Sequence, residues 1–190
     1  MGQRLNISIE RDGEVIANAY YHWSAYTSSA ASLAQDICGK YAWMRKNTKS
    51  DLELAVRLLQ STGAGLASDE RMRVERDTTG RYEGLEFRDA ADRHRGLLSV
   101  TPEGIAETED WEEGRVTFDL ANDTVDFSVY WEMPLDEYKE DYLDEDEPLP
   151  PEHHYSFEPL KVDAFYGLVE LIEKFPNGFV DGDTVYQWIE

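Results

Sequence analysis

Two stretches of this chain alternate strictly between apolar and polar residues around a turn, and they restrict the fold more than any other feature. In LNISIERDGEVIANAYYHW, residues 5–23, Leu5, Ile7 and Ile9 share one side of an extended chain. Asp12-Gly13 supply left-handed turn chemistry, and a second extended run follows. In RVTFDLANDTVDFSVYWEM, residues 115–133, Val116, Phe118 and Leu120 alternate on one strand, with Val125, Phe127, Val129, Trp131 and Met133 on its partner. A period of two with one apolar face describes antiparallel hairpins, packed on one side and wet on the other.

Helical spacing fills the intervals. Thr27, Ser28 and Ser29 offer N-cap oxygens for a helix through SAASLAQDICGKYAWM that continues or breaks near Gly39. Ser50 and Glu53 form a capping box ahead of DLELAVRLLQ. RGLLSVT reads as a short buried strand, and Thr101-Pro102 open a helix stopped by Gly114. Leu160, Phe165, Leu168, Val169, Ile172 and Phe175 recur at helical spacing, and DGDTVYQWIE ends the chain as a short helix or an edge strand. Residues 71–88, including MRVERDTTGRYEGLEF, suggest a further hairpin. Hairpins interleaved with helices, without a βαβ rhythm, predict a single α+β domain over residues 1–190: a mainly antiparallel sheet with helices on one face. An exposed, acidic, proline-rich loop is expected at 134–155.

The charge is unevenly placed. The formal net charge is −22. Residues 1–100 carry 14 Lys or Arg against 14 Asp or Glu, whereas residues 101–190 carry 4 against 26, so 4 − 26 = −22 places the whole imbalance in the second half. Such a field repels nucleic acid and anionic membranes and attracts basic surfaces. The start, MGQRLNISIE, has no apolar leader segment, no stretch approaches a membrane span, and Cys38 stands alone. These features fit a soluble cytoplasmic protein.

Three constellations could carry chemistry. In YYHWSAYTSS, a strand would place Tyr20, His22, Ser24 and Tyr26 on one face and Tyr21, Trp23 and Ala25 on the core face, beside a helix start carrying Ser28. That corner suits a phosphate or carboxylate with aromatic stacking, and it equally suits hydrogen bonding within the sheet. RDAADRHRG offers Arg93 and Arg95 as anion partners, although seven arginines in 71–95 meet eight acids in 69–92. The acidic segment contributes Asp136, Glu137, Glu140, Asp141, Asp144, Glu145, Asp146 and Glu147, an array comparable to a nucleic-acid backbone. His153-His154 follow these acids without any metal-site spacing, so no metal and no cofactor is expected. No P-loop, GxGxxG or GxSxG is present, which argues against a familiar enzyme class.

MGQRLNISIE with ANAYYHWSAYTSSA, and RHRGLLSVTPEGI with EEGRVTFDL, resemble small proteins of tailed phages and prophages of Gram-positive bacteria. The resemblance implies an accessory protein acting in the bacterial host cytoplasm. The sequence thus supports two expectations. One is a non-enzymatic anti-defence inhibitor, a DNA mimic, docking its acidic residues on a basic host nuclease or DNA-binding protein. The other is a small-anion or nucleotide binder, a signal sponge or hydrolase, using the Tyr20–Ser29 corner. Self-association is compatible with both.

Overall fold

The computed structural model describes residues 3–85, 95–109, 112–143 and 147–190. β1 (Arg4–Arg11) and β2 (Glu14–His22) form the first hairpin, with Asp12 and Gly13 at φ 55° and 81° in its turn. Its register sets Leu5 opposite Tyr21, Ile7 opposite Ala19 and Ile9 opposite Ala17, and all six side chains are buried. α1 (Thr27–Asn47) and α2 (Asp51–Gln60) follow, then β3 (Ala64–Leu66), α3 (Ser68–Arg76), β4 (Gly96–Ser99) and α4 (Pro102–Glu109). β5 (Gly114–Asp119) and β6 (Thr124–Ser128) make a second hairpin, and β7 (Tyr130–Pro134) leads into α5 (Leu135–Asp141). β8 (Leu160–Lys161), a 3-10 turn, α6 (Phe165–Lys174), β9 (Phe179–Asp181) and β10 (Thr184–Trp188) complete the chain.

The fold is α+β. A mixed, mainly antiparallel sheet runs β3-β4-β2-β1-β5-β6-β8, and a small second sheet runs β7-β10-β9. β1 sits at the centre, antiparallel to β2 and parallel to β5. Its apolar side joins Val116, Phe118, Val125 and Phe127 in one cluster. The stripes of α1 (Ala30, Ala34, Ile37, Tyr41), α2 (Leu54, Leu58) and α6 (Phe165, Leu168) belong to that cluster too. Alanines on α1 let its backbone approach closely, and Gly39 does not break the helix.

The opposite side of β1 and β2 is polar and equally buried. Asn6, Ser8 and Asn18 have no exposed surface. Ser8 Oγ donates to Asn18 Oδ1 (2.9 Å), and Asn18 Nδ2 donates to Asn6 Oδ1 (3.2 Å) and Thr108 Oγ1 (2.8 Å). Asn6 Nδ2 donates to the Thr108 carbonyl (3.0 Å). Because these partners lie on α4, that helix covers the face opposite α1 and α2. Buried amides left without them would each cost about 1–3 kcal/mol.

Several local readings need correction. The hairpin expected over 71–88 is instead α3 followed by turns through Leu85, with Gly80 and Gly84 at φ 74° and 80°; residues 86–88 lie outside the described residues. Pairs at helical spacing, Asp69–Arg73 (3.8 Å) and Arg71–Glu75 (3.1 Å), support the helix where alternation misled. The hairpin expected over 115–133 stops at Ser128. Val129 packs beside Gly114 and its carbonyl accepts from Thr27 Oγ1 (2.9 Å), so Trp131 and Met133 pass to the second sheet. With Thr27 so engaged, none of the three hydroxyls caps α1; Tyr26 holds that position without a side-chain bond. The acidic segment contains α5, and the chain's last strand, β10, is central in its sheet rather than an edge. The Ser50 and Thr101 caps form as expected, donated to by Glu53 N–H (3.1 Å) and Gly104 N–H (3.3 Å).

Glu70, 1% exposed, ties α3 to the start of α4. Its carboxylate accepts from Val100 N–H (2.8 Å), Thr101 N–H (2.6 Å) and Thr101 Oγ1 (2.8 Å). Gly104 lies against it so closely that a Cβ there would overlap the carboxylate. Gly104→Ala is therefore expected to destabilise by about 2–3 kcal/mol. Gly167→Ala on α6, where nothing lies near the added methyl, should stabilise by about 0.5–1 kcal/mol. Calorimetric melting of both variants checks the contrast.

Candidate functional site

At the Tyr20–Ser29 corner the alternation holds to the end of β2. Ala19 and Tyr21 face the core, while Tyr20 and His22 face away and meet, with Tyr20 Oη 3.1 Å from His22 Nδ1. Tyr21 is a structural anchor: its hydroxyl meets Thr62 Oγ1, and burial pushes its pKa well up. Trp23 then departs from the strand pattern. Its φ of 65° is rare for a bulky side chain, and it turns the ring outward, 54% exposed, edge-on to His22 at 5.1 Å. Ser24 and Ala25 donate their N–H groups to the Gln3 carbonyl (3.0 and 3.3 Å). Ser24 is half-buried, Tyr26 stands exposed at the start of α1 and Ser28 is exposed in its first turn. β2 pairs with β4 as far as Tyr20–Leu97, and Arg95 precedes the first residue of β4. The Arg95 stem packs over Gly63 and its N–H donates to the Gly63 carbonyl (2.8 Å). Arg93 lies outside the described residues.

The acidic segment organises around α5. Asp136, Glu137, Glu140 and Asp141 are all exposed on this single helix, with Lys139 3.8 Å from Asp136 as its one cation. Glu147 is exposed, whereas Asp144, Glu145 and Asp146 lie outside the described residues. Tyr138 and Tyr142 stack at 5.9 Å with planes 13° apart. Beside α5, β7 is an outer strand of its sheet and presents Trp131 half exposed, together with Glu132. The opposite outer strand, β9, is covered: Val180 N–H donates to the Pro151 carbonyl and His153 N–H to the Val180 carbonyl (3.0 and 2.8 Å). Burial raises the Tyr130 pKa, and Asp126 and then Glu132 add to it, so carboxylates of both sheets adjoin at this ring. Sequence reasoning missed Trp131 and Tyr142 as surface groups, because alternation assigned Trp131 to a packed face.

A third arrangement lies between α3 and α4, where Arg73, Arg76, Arg81, Tyr82 and Thr101–Glu103 line an open cleft of about 590 Å³. Arg73 is committed to Glu107 (2.6 Å) and Glu70 (3.4 Å). The remaining candidates are quiet. His153 packs on Phe175 and Phe179, while His154 Nδ1 pairs with Asp181 at 2.9 Å, so the two imidazoles serve different contacts. Among the described residues no group of three or more His, Cys, Asp or Glu is placed to hold a metal ion. Burial pushes the Cys38 thiol up to about 12, which leaves little nucleophilic thiolate. No helix among the described residues is long and apolar enough to cross a membrane.

No protein-family model, curated protein or solved structure matches this chain.

One carboxylate on the polar sheet face makes a pH prediction. Burial, then Asp119, raise the pKa of Glu10, with Arg115 opposing. The folded protein therefore holds this proton more tightly than the unfolded chain. Its contribution to stability is present below the ordinary glutamate value of about 4.3 and is lost as pH rises through the higher folded value. Glu10→Gln should accordingly raise melting temperature at pH 7, by the equivalent of about 1 kcal/mol or less, and give no gain near pH 4.

Proposed function

We propose that this chain is a non-catalytic binding protein whose α5 face docks on a basic nucleic-acid-binding surface of another protein, in the place that a DNA backbone would occupy. The carrying observation is that exposed aromatic residues flank α5 in the chain: Trp131, 50% exposed, on the strand that leads into it, and Tyr142, 60% exposed, at its C-terminal end. Charge alone steers and attracts but discriminates poorly. Large exposed aromatic side chains near such charges supply the anchors that dominate interface energies once buried. An anti-defence role against a bacterial nuclease or DNA-binding protein accords with the phage-like sequence features and with a charge excess confined to residues 101–190.

Capture of bacterial DNA-binding proteins on the immobilised chain, with elution by duplex DNA, tests this reading. Replacing Asp136, Glu137, Glu140 and Asp141 by their amides should weaken binding at least about tenfold and flatten its salt dependence. Trp131→Ala should weaken it about tenfold while leaving the salt slope unchanged. Binding that resists duplex DNA, or that survives both sets of substitutions, overturns the proposal.

A second reading, a small-anion or nucleotide binder at Tyr20, His22, Ser24, Tyr26 and Ser28, is favoured by one observation. The left-handed backbone at Trp23 costs about 1–2 kcal/mol and holds an exposed ring against His22. It predicts a nucleotide-dependent rise in melting temperature that His22→Ala abolishes.

A further inference from the structure

We propose that the cleft between the end of α3 and the start of α4 binds a phosphate-bearing small molecule through Arg76 and Arg81. The argument begins with pairing. Asp and Glu outnumber Lys and Arg by 40 to 18, so a typical guanidinium in this chain finds a carboxylate. Arg11, Arg45, Arg57, Arg71, Arg73 and Arg115 all do so. Among the described residues, Arg76 and Arg81 have no carboxylate partner at ion-pair distance, although both line the same cleft.

Both are held in place by neutral contacts. Arg76 Nε donates to the Met72 carbonyl (3.0 Å), which fixes the side chain and leaves its terminal nitrogens for other acceptors. The Arg81 guanidinium lies over the Tyr82 ring, 5.6 Å from its centroid, and the Tyr82 hydroxyl donates to the Val100 carbonyl (3.0 Å). Tyr82 is thus a fixed platform for a cation. Two forks positioned in this way suit the planar, multidentate recognition that phosphate oxygens offer.

The surroundings tolerate the same class of ligand. With Arg73 committed to Glu107 and Glu70, the lining carries Arg76 and Arg81 against Asp77 and Glu103, so 2 − 2 = 0 in a chain whose net charge is −22. Asp77 accepts from Thr79 N–H (2.9 Å); its hydrogen bonds to Thr79, with Arg81 contributing, lower its pKa and keep it ionised, so a bound phosphate must compete with it for Arg81. Glu70 already lies at the start of α4, accepting from Val100 N–H and Thr101 N–H just ahead of its first turn. A ligand here is consequently held by side chains rather than by the helix terminus. The volume of about 590 Å³ is ample for a diphosphate with an attached sugar or nucleoside.

Isothermal titration of the whole chain with pyrophosphate and with ADP, at constant ionic strength, tests the proposal. Binding is expected, with affinity lowered tenfold or more by Arg76→Gln and by Arg81→Gln, and abolished by the pair. Arg57→Gln, outside the cleft, and His22→Ala, at the Tyr20–Ser29 corner, should leave it unchanged. ADP binding tenfold tighter than pyrophosphate would identify a nucleotide as the source of the phosphate; equal affinities would identify the phosphate group alone. No heat with either compound up to about 5 mM, or undiminished binding by the double variant when circular dichroism shows it folded, overturns the proposal, and loss of binding on His22→Ala alone would move the site to the corner.

Discussion

Glu70 is a carboxylate removed almost wholly from water, and the placement of two helices depends on how it is satisfied. Three donors from Val100 and Thr101 and one guanidinium from Arg73 surround it. Removing any of them would leave a buried charge underpaired, which is among the costliest local defects a fold can carry. The constraint propagates outward. Because Glu70 sits under Gly104, α4 must begin where it does, and Thr108 is thereby delivered to Asn6 and Asn18 on the polar face of the central hairpin. The same arrangement ties up Arg73 and leaves Arg76 and Arg81 facing the cleft. A single buried acid therefore links the core sheet to the proposed anion site.

Of the two proposed surfaces, α5 lies wholly in the acidic half of the sequence, whereas the cleft between α3 and α4 straddles the charge boundary. The balanced first half supplies β1 to β4 and α1 to α3, where acids and bases largely neutralise one another in pairs. The acidic second half supplies α5 and the small sheet, where only Lys139 moderates four exposed carboxylates. Pairs such as Arg73–Glu107 and Arg45–Asp123 join the halves elsewhere, but α5 takes no cation from the first half among the described residues. A ligand phosphate would be repelled by the α5 face and accepted between α3 and α4, and a basic protein would be sorted the opposite way.

Much of the architecture was legible because the relevant signals are local. The β1–β2 hairpin follows from Leu5, Ile7, Ile9 and the Asp12-Gly13 turn, and α2 follows from its Ser50 cap. Two readings failed where a tertiary contact outweighed local periodicity. Val129 continues the alternation of β6, yet its carbonyl is claimed by Thr27 from a distant helix, and the strand divides there. Met72 and Val74 alternate like a strand, but the segment becomes helical because Glu70 and Arg73 must reach the same side. Site residues were harder to read for a related reason. Counting charges over 69–95 gives near neutrality, whereas the fold buries Glu70, pairs Glu75 with Arg71 and leaves Arg76 and Arg81 without an ion pair among the described residues. A net charge taken along a sequence averages over charges that folding separates.

Solubility alone does not account for the α5 surface. Exposed carboxylates keep a protein dispersed wherever they lie, and they require no aromatic neighbours. Trp131 occupies an outer strand, where an exposed apolar ring beside unpaired backbone groups invites non-specific pairing. Glu132, Asp136 and Glu137 discourage that pairing with like or neutral chains, because an incoming strand would have to lie among like charges. A positively charged surface escapes this penalty and gains the apolar area of the ring. The carboxylates and Trp131 then act together: the charges exclude unsuitable neighbours, and the tryptophan rewards the one class of surface that remains.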